Sequence, residues 1–255
     1  MELDRSRLKS RAKDLIRHSR PGVLACGAIY LIIALVLANL AARAMSVNIT
    51  LDKLRYLQDH LMSSHPDPDY LYALLESMQP PTSAYGIKTL LDFCSHIVAV
   101  GFTIFLLNTI RRSEPSFGNL LDGFPLLLRL LALALLEGLI VGLLSLLLVV
   151  PGVIASYRYR MALYLLIDHP EMGPVQCLRE SARMMKGHKM ELWMLDISFI
   201  GWAILTGIPG IGTVLQLWTV PYMEMTFCLY YEFLRGAPSV YEDTETDEEY
   251  PSFPF

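Results

Sequence analysis

The sequence predicts an all-α polytopic membrane protein: six transmembrane helices arranged as three outward-pointing hairpins, with amphipathic helices on the cytoplasmic side. Composition, run length and charge placement carry that expectation. Hydrophobic residues make up 53% of the 255 residues, charged residues only 18%, and the mean hydropathy is +0.40; a soluble domain carries about 25% charged residues. The apolar residues gather into runs of bilayer length, since a crossing helix needs about 20 mostly apolar residues. Basic residues cluster between alternate runs, which sets direction. The same figures exclude a disordered chain, a basic nucleic-acid binder and an ordinary cytosolic enzyme. The net charge of −4 says little, because the charges are segregated along the chain.

Residues 1–22 read as a basic cytoplasmic amphipathic helix. Arg5, Arg7, Lys9, Arg11, Lys13, Arg17 and Arg20 surround a narrow stripe of Leu8, Ala12 and Leu15. The uncharged run Val23–Ala42 follows. Basic segment, apolar run and Ala42-Arg43-Ala44 imitate a secretory signal, but a signal core spans about 7–15 residues and this run is bilayer length. It is therefore expected to stay as the first crossing. An outer loop of about residues 45–86 comes next. Leu51, Leu54, Leu57 and Leu61, then Leu71, Leu74, Leu75 and Met78, have helical spacing, so two short amphipathic helices are expected there.

The second span is Ile87–Ile110 and the third Pro125–Val150, with an amphipathic stretch Glu114–Phe124 between them. Pro151-Gly152 reads as a tight turn into a fourth span, Gly152–Ile167. An interfacial cytoplasmic helix of about residues 171–187 follows, with Val175, Leu178, Ala182 and Met185 as an apolar stripe beside a basic row of Arg179, Arg183 and Lys186. Such a helix can lie flat with the stripe among acyl chains and the row at anionic headgroups or on a partner. The plainer reading is an anchor that fixes orientation. Leu192–Ile208 and Thr213–Leu234 form the last pair, turned at Pro209-Gly210-Ile211-Gly212. Residues 23–235 thus make the membrane domain, and 236–255 an acidic, disordered cytoplasmic tail. Lysine and arginine bias puts both termini inside.

Charges at membrane depth are costly and face a bundle interior or water. Counting at 1.5 Å per residue places His96, Glu137, Arg160 and Glu224 in one slab about 8 Å deep. Arg158 and Arg160, two residues apart, point to different neighbours. These five form a candidate intramembrane polar cluster. It serves either as an ion-coupled transport site, with Pro221 breaking the sixth helix beside Glu224, or as an ion-pair network that fixes packing. Gly138 and Gly142 have the GxxxG spacing of close helix contacts.

The four cysteines have no paired spacing, and the six histidines do not pair at ligand spacing on a helix. HExxH, GxSxG, P-loop and GxGxxG motifs are lacking where they would be interpretable. No enzyme activity, cofactor or metal is expected. The expected partners are a bilayer with anionic headgroups and, if the chain is an accessory subunit, another membrane protein; nucleic acid is not among them.

Particular residues resemble a known family. They begin with Arg7-Leu8-Lys9, Arg112-Ser113-Glu114, Gly123-Phe124 and Val150-Pro151-Gly152-Val153-Ile154. They continue with Tyr159 to Met161, Tyr164, Asp168, Ser181, Met185-Lys186-Gly187, Leu195 to Trp202, Gly210-Ile211-Gly212 and Val220-Pro221-Tyr222. The pattern looks like the bacterial integral-membrane family catalogued as domain of unknown function 975, densest from Val150 to Leu234. The resemblance implies a multi-pass bacterial inner-membrane protein and supplies no functional residues. The expectation is a non-enzymatic, membrane-organising or accessory protein; a small-solute or ion-coupled transporter component is the alternative.

Overall fold

The structure, a computed structural model, describes residues 4–46, 68–208 and 210–237, with positions 52, 54, 55, 58, 59 and 62. The first expected outer-loop helix, on Leu51 to Leu61, lies largely outside the described residues, and so does the acidic tail beyond Ala237.

Among the described residues the chain is all-helical. In order the helices are α1 (Arg5–His18), α2 (Val23–Ala44), α3 (Pro68–Ser77), α4 (Thr82–Ile110), α5 (Leu127–Leu147), α6 (Val149–Tyr159), α7 (Ala162–Asp168), α8 (Pro174–Met184), α9 (Lys189–Ile197), α10 (Ile200–Thr206) and α11 (Ile211–Leu234). Short 3-10 turns, Phe117–Leu121 and Phe124–Leu126, stand where an amphipathic helix was expected between the second and third spans. Val23–Ala44, Thr82–Ile110 and the stretch Phe117–Leu147 are long and apolar enough to cross a membrane.

Two compact units divide the chain, Leu31–Val98 and the remainder. The first unit holds α3 and the distal parts of α2 and α4. There α2 exposes Ile32, Leu35, Val36 and Leu40, and α4 exposes Ile87 and Leu90. Lys88 pairs with Asp92 one turn on, both about half exposed.

In the second unit α1 starts at Asp4, whose carboxylate accepts the Ser6 and Arg7 amides at 2.9 and 3.2 Å and so caps the helix. Leu8, Ala12 and Ile16 are buried, and α1 packs along α11. The stripe expected over Leu8, Ala12 and Leu15 is thus turned toward Ile16, and it faces protein rather than acyl chains. Lys9 sits over the Phe199 ring at 4.3 Å, and Lys13 over Tyr222 at 5.6 Å.

The α5–α6 turn falls at Leu148, in extended conformation, not at Pro151-Gly152. Pro151 lies in the first turn of α6, where a missing N–H breaks no helical bond. Gly152 faces α5, and a Cβ there would lie 2.0 Å from Ser145 Oγ. Gly212 repeats this in the next hairpin, where a Cβ would lie 2.1 Å from the Thr206 carbonyl oxygen. Gly138 and Gly142 have nothing within 4 Å, so the GxxxG spacing brings no helix close here.

The fourth and fifth expected spans are each two pieces. Helix α6 stops at Tyr159 because the Ser181 hydroxyl on α8 donates to the Arg158 carbonyl at 3.0 Å and accepts the Met161 amide at 3.2 Å. The α9–α10 break is at Ser198, whose carbonyl accepts Lys9 Nζ at 3.5 Å. By contrast α11 runs unbroken through Pro221, so the break that the transport alternative places beside Glu224 is absent. One core cluster joins Val100 of α4, Leu133 of α5, Leu166 of α7 and Cys177 and Leu178 of α8. On α8 the buried face is Cys177, Leu178, Ser181 and Met185; Val175 is exposed and Ala182 half-buried.

Candidate functional site

Three helices end together. Arg111 follows α4, Asp168 closes α7, and Tyr231, Glu232 and Arg235 lie at the end of α11. Arg111 donates from Nη1 and Nη2 to the two Asp168 oxygens at 2.7 and 2.8 Å, and from Nε to Glu232 Oε1 at 2.8 Å. The Tyr231 hydroxyl and Arg235 Nη1 each donate to Asp168 Oδ2 at 2.7 Å. Tyr164 stacks on Tyr231 with ring centroids 5.1 Å apart.

The Asp168 and Glu232 side chains are only 5% and 3% exposed. A carboxylate at a helix C-terminus is disfavoured by the dipole, but two guanidiniums match two carboxylates here. Burial pushes the Asp168 carboxyl up, and the Arg111 guanidinium, the Tyr231 hydroxyl and the Arg235 charge outweigh it, holding Asp168 below its ordinary value. All four charges are mutually paired, so the quartet can clamp three helix ends.

A second layer of charge lies between this clamp and the hairpin turns. Arg160, at the α6–α7 break, is the cation within electrostatic reach of both Glu137 on α5 and Glu224 on α11. Arg160 is exposed and the two carboxylates half-buried. Its guanidinium also lies 5.2 Å from the Phe227 ring centroid. Tyr157 donates to Asp196 at 2.8 Å, joining α6 to α9. Lys9 and Lys13 reach the same level through Phe199 and Tyr222. Along each hairpin this layer stands about 15–20 Å from the turn at 1.5 Å per residue.

Of the five residues expected to cluster, Arg160 lies within electrostatic reach of Glu137 and of Glu224 without an ion pair to either. Arg158 points elsewhere, over Tyr159 at 5.8 Å. His96 is exposed on α4 in the other unit. Arg179 and Arg183 on α8 and Lys186 in the turn after it are exposed; Arg183 pairs with Glu180 at 3.0 Å. Cys26, Cys177 and Cys228 are buried and Cys94 half-buried, all as free thiols. Among the described residues no group of three His, Cys, Asp or Glu could hold a metal.

Sequence reasoning missed the quartet. Glu232 was the available signal: a carboxylate among Tyr230, Tyr231 and Phe233 in an apolar helix requires a cation nearby.

An all-helical chain with three helices of bilayer length and charges gathered in layers is compatible with a membrane protein. Residues 139–237 match the family described as "Protein of unknown function (DUF975)", the family whose motifs the sequence resembles. The matched segment includes Arg158, Arg160, Asp168, the basic row of α8, Glu224 and the α11 part of the quartet. No curated protein and no solved structure matches significantly.

Proposed function

We propose that this chain is a non-enzymatic, membrane-organising protein of a bacterial cytoplasmic membrane. Both termini are inside, and two of its three apolar hairpins enter only the cytoplasmic half of the bilayer. The charged layer supports this reading. Six full crossings would set Lys9, Lys13, Glu137, Arg160 and Glu224 near the bilayer centre, where an ionised side chain costs about 2.5–3.5 kcal/mol even on an insertion scale. Placed at the cytoplasmic interface, the same groups meet water and headgroups. The tips α5–α6 and α10–α11 then reach about 15–20 Å into a hydrocarbon core about 30 Å thick.

The first hairpin is different. Helices of 22 and 29 residues, α2 and α4, are long enough to cross completely. The basic residues before α2, Arg111 with Arg112, and the row on α8 all fall on the inner side, as positive-inside bias requires. Hairpins that occupy one leaflet add area to that leaflet alone, which is a physical means of organising lipid packing or presenting a surface to a membrane partner.

The test is a single-cysteine experiment in a background lacking the four native cysteines. A membrane-impermeant maleimide added outside whole cells labels Ser46→Cys and leaves Leu148→Cys unlabelled until detergent dissolves the bilayer. Outside labelling of Leu148→Cys contradicts the half-depth topology. The organising role is read separately: purified protein reconstituted into phosphatidylglycerol–phosphatidylethanolamine vesicles changes their diameter, and unaltered vesicles contradict that role.

A second reading has one specific observation behind it. Glu137, Arg160 and Glu224 retain access to the surface, as coupled transport requires. If they transport, Glu137→Gln or Glu224→Gln abolishes uptake while the protein stays inserted; if they support packing, the same changes lower the melting temperature.

A further inference from the structure

We propose that the groove between α8, α5 and α6 is a binding site for one anionic phospholipid, with cations for the headgroup phosphate and an apolar channel for an acyl chain. The inference rests on the reading that places α8 at the cytoplasmic interface. The groove has a volume of about 520 Å³, within the range of sites that hold one organic ligand, about 300–1,000 Å³.

Its chemistry is divided. Arg158 comes from α6, Arg179 and Arg183 from α8, and Lys186 from the turn that follows α8. Four cations converge although Glu180 is the one acid paired to any of them, through Arg183. Arg179 and Lys186 have no ion pair among the described residues. Arginine forks match phosphate oxygens, so an unneutralised set of this kind is complementary to a phosphodiester. The other wall is apolar, formed by Leu136 and Ile140 of α5 with Leu178 of α8.

That wall continues toward the hairpin turn. Leu139 and Leu143, one turn further along α5, are each 60% exposed, which gives an acyl chain a continuous path away from the cations. A free phosphate would use the cations and leave the channel without a role. A zwitterionic lipid would carry a cation of its own into a basic site. Both the charge and the channel therefore select a lipid with net negative charge.

Ser181 adds a mechanical link. It belongs to α8 and ties off the α6–α7 break beside Arg158 and Arg160, so a headgroup held by α8 also fixes the segment that carries the charged layer.

Full-length protein is purified in detergent, incubated with 1-palmitoyl-2-oleoyl phosphatidylglycerol or the phosphatidylcholine of identical chains, and bound lipid is counted by native mass spectrometry. The expected result is retention of one phosphatidylglycerol in preference to phosphatidylcholine. Arg179→Gln/Arg183→Gln/Lys186→Gln lowers that retention at least about tenfold, whereas the charge-matched Arg5→Gln/Arg7→Gln/Arg17→Gln on α1 lowers it less than about twofold. Ile140→Trp, which fills the channel without touching charge, also loses the lipid, and it carries the test if the triple variant fails to insert.

Equal loss in both triple variants, or equal retention of the two lipids, overturns the site. So does displacement by inorganic phosphate with no effect of Ile140→Trp. Lipid retention that appears only after truncation at Ala237 assigns the groove to the chain's own acidic tail instead. Loss of lipid selectivity with Leu148→Cys still protected from outside refutes the site alone, whereas outside labelling of Leu148→Cys with selectivity retained refutes the topology alone.

Discussion

Helix α5 and the C-terminal half of α11 are both largely apolar but are covered differently. Only 11% of the residues in the apolar window of the stretch ending with α5 are buried by protein; Leu135, Leu139, Leu143 and Leu146 all face outward. In α11 every residue from Met225 to Tyr231 is buried: α1 packs along the helix, Tyr164 of α7 stacks on Tyr231, and the Tyr230 hydroxyl donates to the His188 carbonyl at 3.0 Å. Apolar area must leave water in both cases. In α11 other helices cover it, and on α5 most of it stays open, as it does on a segment that a bilayer could cover. Apolarity alone therefore does not distinguish an uncovered apolar helix from a core helix; the partners that the chain supplies do.

The largest effect that sharpens this contrast is in the quartet beneath the buried half of α11. Arg111→Ala leaves the buried Asp168 and Glu232 with Arg235 in place of two guanidiniums and is expected to cost about 3 kcal/mol, read as a lowered melting temperature in detergent. Arg111→Lys, which keeps the charge and loses the fork, should recover part of it. Next come paired truncations. Leu229→Ala removes a fully buried side chain and is expected to cost about 2–5 kcal/mol, while Leu143→Ala on α5 stays within about 0.5 kcal/mol. Comparable losses at both sites would mean that protein covers α5 and would break the comparison.

A smaller effect separates the glycines. Gly152→Ala forces a Cβ onto Ser145 and should cost about 1–3 kcal/mol, with Gly142→Ala within about 0.5 kcal/mol because nothing lies near it. The smallest effect at neutral pH is titration of Asp168. Its folded-state pKa lies below the ordinary 3.8, so its contribution is complete above that value and is lost as pH falls through the folded-state pKa. Melting followed from pH 5 downward should show acid destabilisation that is absent from Asp168→Asn; an unchanged acid profile in that variant contradicts the assignment.

Local patterns made some of this legible in advance. The apolar runs of α2, α4, α5 and α11 stand out because bilayer-length hydrophobicity is a property of consecutive residues, and the basic row of α8 stands out through helical spacing. The breaks at Arg160 and Ser198 were hidden because distant side chains cause them: Ser181 ends α6 from 20 residues away, and Lys9 reaches Ser198 from the far end of the chain. The quartet was hidden for the same reason, since Arg111 meets Asp168 and Glu232 only after three helices converge. Turn position also misled. Pro151-Gly152 has the composition of a loop, yet proline fits the first turn of a helix and this glycine is required by the approach of Ser145.

Depth is the property on which the account turns, and a nitroxide at Leu148→Cys reports it directly in reconstituted bilayers. The label should show high collision with oxygen and low collision with a water-soluble nickel chelate, the signature of the bilayer midplane, with a label at Arg179→Cys accessible to both. Strong nickel access at Leu148→Cys, as at an outer headgroup region, would contradict hairpins that stop halfway.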